Sequence, residues 1–162
     1  MTQEREPIME TTGTLAQNLL TAFEGVNWTD VSIADTLADL SVKQATTRTA
    51  ASPNTIASLV NHLWYWNTII MLRMKGENPV IPEVNGFDVE ELNNEDDWKK
   101  LVAKTHQSFI DLADAIRKLP DEQLPDPVSN GRSTVGKNLY GIVEHAYYHL
   151  GQIVMLKHLV QK

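Results

Sequence analysis

Five histidines stand in this chain, and three of them have a spacing that chemistry can use. His145 and His149 are four residues apart, so on a helix both rings leave the same face. His62 lies on a separate apolar-periodic segment, and a facing helix carrying it would complete a set of three nitrogens. Imidazole binds zinc, nickel, copper and iron well, and three protein ligands leave positions for water or substrate. By spacing alone such residues are more often hydrogen-bonded helix histidines that hold no ion. The run H-A-Y-Y-H lacks the glutamate of H-E-x-x-H, which removes the general base of a metalloprotease. Glu144 adjoins His145 but points about 100° away on a helical wheel, and it is assigned no role. His106 and His158 are expected to face solvent.

Four segments carry the helical period needed to position these rings. The first runs from about Glu6 to Phe23, with Pro7 in its opening turn, Leu15, Leu19, Leu20 and Phe23 on one face and Gly25 as its stop. A short helix is expected over Ile33 to Leu40, since Ser32 and Asp35 form a capping-box pattern. Ala45 to Ala51 reads as loop. Ser52 and Pro53 suit the start of the second long helix, whose apolar residues run from Ile56 to Met74 before Gly76. With Leu63 central to that stripe, His62 falls about 100° to the side, on its flank.

The third long helix begins near Asn94, where Glu95, Asp96 and Asp97 complement the helix dipole, and ends at Pro120. Ser133 is the expected cap of a fourth helix reaching the C-terminus. Its stripe centres on Ala146, which puts His145 and His149 about 60–100° off-centre, with Gln152 on the same flank. No strand signal or internal repeat is evident. The pattern is an all-α four-helix bundle, read as one domain over residues 1–162.

The composition excludes several classes. Cysteine is absent, so this chain supplies no thiolate ligand, disulfide or cysteine nucleophile. A net charge of −7 argues against a phosphate-backbone partner, so no nucleic acid is expected. The acidity is local: Glu77 to Asp97 holds eight acids and no Lys or Arg, and the remaining charges nearly balance. That segment, with Pro79, Pro82 and Gly86, reads as a long solvated connection whose acids are not metal ligands. The N-terminal residues lack a secretory pattern, and no stretch suits a membrane span, so a cytoplasmic protein is expected.

The run Thr55 to Trp66 (TIASLVNHLWYW) and the run His145 to Ile153 (HAYYHLGQI) together resemble the DinB-like (YfiT/DinB) superfamily of bacterial four-helix-bundle proteins. Leu37 to Ala45 is similar to that family's segment before the second long helix, and Trp98 to Leu101 to the start of its third. The resemblance implies a bundle with a short extra helix, and one divalent metal, nickel or zinc, on His62, His145 and His149. It also implies a family in which some members are DNA-damage-inducible and homodimers are common. Gln152, within helical reach of His149, is read as supporting that ligand from behind.

Characterised relatives imply a metal-dependent transferase or isomerase acting on a low-molecular-weight thiol. The alternatives are a metal-dependent hydrolase and a non-catalytic stress-associated bundle with a structural metal. Trp64, Tyr65 and Trp66 are candidates for a pocket wall or for core. Tyr140, Gly141, Tyr147, Tyr148, Gly151 and Met155 give the fourth helix a second apolar side, consistent with a homodimer. Alternatively, Tyr147 extends the core stripe and Tyr148 packs on the long loop.

Overall fold

Reciprocal caps decide where the helices begin. In the computed structural model, which describes residues 11–128 and 131–162, the chain forms α1 (Thr11–Phe23), α2 (Ile33–Leu37), α3 (Val42–Thr46), α4 (Ile56–Met74), α5 (Glu95–Arg117) and α6 (Val135–Val160). The expected first turn with Pro7 lies outside the described residues. Helix α4 starts at Thr55, whose hydroxyl accepts from the Ser58 N–H while Ser58 returns a bond to the Thr55 backbone. Ser52 and Pro53 therefore stand outside it, and Ser52 instead accepts from the Asn54 N–H. Likewise Thr134, not Ser133, caps α6 by accepting from Lys137. Nearby hydroxyl residues compete for a cap, and the one whose bond closes onto the first turn takes the position.

The short helical region also differs from expectation. Helix α2 stops at Leu37, and a separate α3 follows, capped by Ser41 in a full capping box with Gln44. Ala45 and Thr46 are thus helical, contrary to the loop expected from Ala45 onward. The S-x-x-Q pattern that marks the helix start is present at Ser41 to Gln44.

The four long helices build the bundle: α4 and α1 each pack against both α5 and α6. No strand occurs among the described residues. Core side chains include Leu19, Phe23, Leu63, Phe109, Leu112, Leu139 and Ile153, taken from every long helix. The amphipathic periods place them inward, and burying each large apolar side chain stabilises the fold by about 1.5–3 kcal/mol. Asp121 joins two ends of the bundle by accepting the α1 backbone N–H groups of Thr11 and Thr12, at 2.7 and 2.9 Å. Those bonds hold its carboxyl below the usual range.

One stretch departs from simple amphipathicity. Every residue of α4 from Ile56 to Leu63 is buried, polar Ser58, Asn61 and His62 included. Helices α3, α5 and α6 pack against α4, and part of the connection after it folds back over the remaining side. Among the described residues no helix is long and apolar enough to cross a membrane.

Candidate metal centre

The flank positions of α4 and α6 face each other and bring three imidazoles together. The Nε2 atom of His145 lies 2.9 Å from Nε2 of His62 and 3.0 Å from Nε2 of His149. One ring nitrogen from each of the three lies within 4.8 Å of the other two. His62 and His149 are 3% and 5% exposed, and His145 is half-buried. Among the described residues no carboxylate or further histidine joins the group. His158 is exposed, as expected. His106 is not simply solvent-facing: it is half-buried, stacked on Phe23 at 4.6 Å and 3.0 Å from the Glu24 carboxylate.

The outer nitrogens of two rings are tethered. His62 donates from Nδ1 to the Asn85 carbonyl at 2.6 Å, and His149 donates from Nδ1 to Gln152 Oε1 at 2.7 Å. An acceptor at Nδ1 fixes the proton there and leaves the Nε2 lone pair turned inward. Burial pushes the His62 pKa down to about 4, against the opposing pull of the Asn85 carbonyl. Burial, reinforced by His149 and His62, takes His145 to about 3, and burial lowers His149 as well. The rings are therefore neutral at pH 7, the state in which imidazole binds a metal.

Two Nε2–Nε2 separations of about 3 Å, both to His145, are unfavourable unless a proton or cation stands between the nitrogens. Two nitrogens bound to one ion at about 2.0–2.1 Å stand about 3 Å apart when the bonds meet near a right angle. The spacing and the donor set therefore fit a borderline transition metal, and not calcium or magnesium, which take oxygen ligands.

The connection between α4 and α5 contributes more than solvated acids, which corrects the sequence expectation. Asn85 and Gly86 both have positive φ, 52° and 77°, and the Phe87 N–H bonds the Val84 carbonyl at 3.0 Å. This is the type I′ turn favoured by an Asn-Gly pair. Its carbonyls serve adjacent α4 residues: Asn85 takes His62, and Gly86 accepts from Asn61 at 3.0 Å. Phe87 then stacks flat on the His62 ring, 3.9 Å away and 7° from parallel. Gly86 also lies so close to Tyr65 that a Cβ there would enter the tyrosine ring. Neither Asn85 nor Phe87 is singled out by the sequence, and Gly86 is read there only as part of a loop. The Asn-Gly dipeptide was the available signal.

The aromatic triplet divides. Trp66 packs edge-on to His62 and His145 and, with His145, lines a pocket of about 280 Å³. Trp64 and Tyr65 line a different cavity of about 700 Å³ between α4, the acidic connection and α5. None of the three histidines lines that larger space, so its size does not make it the site of histidine chemistry. On α6, Tyr147 is half-buried against the core, whereas Tyr148 is exposed and does not settle into the bundle.

A protein-family model described as the DinB superfamily matches residues 28–153. No curated protein matches the chain.

Proposed function

This chain belongs to the DinB superfamily, and on that premise we propose that it is a metal-dependent enzyme that transfers or rearranges an adduct of a low-molecular-weight thiol. His62, His145 and His149 would hold one divalent ion, nickel or zinc. Bound there, the ion would act as a Lewis acid that favours the thiolate form of a substrate thiol. The observation that carries the reading is the convergence of three Nε2 atoms beside a pocket that His145 itself lines. With three protein ligands and no fourth among the described residues, the set resembles a catalytic site more than a closed structural one.

The chain's own residues have separate tasks in this reading. The Asn85 carbonyl and Gln152 hold the Nδ1 protons, which keeps both rings in the ligating tautomer. Phe87 and Trp66 wall the cluster from two sides and limit water. Glu144 is exposed and takes no part. The absence of cysteine leaves the reacting thiol to the substrate.

Elemental analysis of untagged protein tests the ion: about one nickel or zinc per chain is expected, and near zero in His145→Ala. The loaded protein is then assayed with bacillithiol, glutathione and coenzyme A against a common electrophile. Metal without any thiol transfer would remove the transferase reading. We further propose a homodimer, supported by the exposed stripe of Tyr140, Tyr148 and Met155 along α6. Light scattering that gives a monomer at micromolar concentration would overturn it.

A further inference from the structure

The pocket beside His145 carries positive charge. It runs along the groove between α4 and α6, away from the histidines toward the C-terminal end of α4. Its lining includes Arg73 and Lys137 and no carboxylate. Arg73 is half-buried next to Trp66, with its guanidinium carbon 5.5 Å from the indole centroid. Its Nη1 donates to Asn138 Oδ1 at 2.9 Å, and the Asn138 amide is oriented in turn by bonds to Ser133 Oγ and the Thr134 carbonyl. A neutral acceptor thus positions the arginine without neutralising it. No ion pair found among the described residues engages Arg73. Its Nε is covered and has no acceptor, an arrangement that costs stability.

Helix geometry sets the order along the groove. Side chains lean toward the N-terminus of their own helix, so Arg73 leans back toward His62 while Lys137 leans away from His145. Lys137 lies eight residues before His145, which is about 12 Å along the axis. Apolar Trp66, Ile70 and Ile142 line the space between. The α6 N-terminus offers no free donor, because the Val135, Gly136 and Lys137 N–H groups are already bonded. Any anion here would be held by side chains. A volume of about 280 Å³ admits a short organic acid and is too small for a nucleotide cofactor.

We propose that this pocket is a carboxylate subsite, in which Arg73 and Lys137 bind the anionic end of a small substrate whose other end reaches the histidine cluster. Only the second half of that statement rests on the metal reading above. A planar carboxylate matches the guanidinium fork, and the apolar wall between the charges and the histidines accommodates a short alkyl segment.

The test uses two ligands that differ only at one end. Cobalt-loaded protein is titrated with 6-mercaptohexanoate and with 6-mercaptohexanol, followed by the visible cobalt spectrum. The carboxylate is expected to bind at least about tenfold tighter, the gain of one charge-assisted pair. Arg73→Met and Lys137→Met should each shrink that ratio while leaving the alcohol's Kd unchanged. Lys137 is exposed, so its variant serves even where Arg73→Met fails to fold. Metal-free protein is titrated in parallel with hexanoate and hexanol, followed by the fluorescence that Trp66→Phe removes. Equal Kd values within each pair, or a ratio that survives both substitutions, would overturn the subsite. If the protein takes no cobalt, the metal reading fails, and the fluorescence arm alone decides the subsite. Hexyl phosphate binding more tightly than hexanoate would overturn the choice of carboxylate.

Discussion

Two layers surround the histidine cluster, and they are built by opposite means. The inner layer comes from α4 and α6, whose periodic stripes put His62, His145 and His149 on facing flanks. The layer behind His62 comes from an aperiodic connection, where one left-handed turn presents two carbonyls and a stacking ring. Helices deliver ligands through a repeat set by 3.6 residues per turn, and neighbouring residues can change without moving them. The turn delivers its contacts through backbone dihedrals that only a few residue types adopt, so it tolerates much less. The same connection carries five acids, Glu77, Glu83, Asp88, Glu90 and Glu91, all exposed and none joining the histidine group, whereas its Asn85 carbonyl bonds His62.

The contrast can be tested by changing each layer separately. The largest effect is expected at the inner layer, where His149→Ala should drop bound metal from stoichiometric to near zero by elemental analysis. Gly86→Ala forces a Cβ into Tyr65 at φ 77° and should destabilise the fold by about 3 kcal/mol in urea denaturation. A wild-type midpoint for that variant would show that the turn is not under constraint. Gln152→Ala leaves the His149 ring in place but frees its Nδ1, and metal affinity in a chelator competition should fall about 10–100-fold.

Acid provides a further test. The folded-state pKa values of His62 and His145 lie below the ordinary value, so the unfolded chain binds more protons as pH falls. Stability of the metal-free protein should be full above pH about 6.5 and decline steadily toward pH 4. Asp121 behaves in the same direction at lower pH. Its carboxyl is depressed by the Thr12 and Thr11 N–H groups, so its contribution is present above the usual aspartate range and lost below it. A flat urea midpoint from pH 7 to 4.5 would contradict the buried neutral rings. The smallest effect is expected for Glu90→Gln and Glu91→Gln, exposed acids of the connection, which should change stability by less than about 0.5 kcal/mol.

The helices were legible because burial of an apolar stripe leaves a repeat in the residues themselves, and α5 follows that reading from its Asn94 cap onward. The cap positions of α4 and α6 were less legible, since Ser52, Thr55, Ser133 and Thr134 all carry side chains able to cap. Choosing among them depends on which hydroxyl closes onto the first turn. The histidine spacing on α6 was readable, whereas the approach of His62 depended on how α4 faces α6. Asn85 and Phe87 went unnoticed, and Gly86 was read only as a loop residue, because a turn carbonyl has no side-chain signature, although Asn-Gly marks the turn itself. Arg73 is the same kind of case: its charge is visible, but its neutral partner on another helix is not.

The sequence by itself determined the all-α class, the three candidate nitrogens, the absence of thiolate and the concentration of acid between Glu77 and Asp97. These follow from residue type and local period, which need no knowledge of distant neighbours. Tertiary structure alone decided that the acidic connection folds its turn against His62, that Gly86 sits against Tyr65, and that Arg73 and His145 share one pocket. Each of these joins residues far apart in the chain, and the placement of such groups is fixed by packing and by backbone carbonyls that any sequence carries.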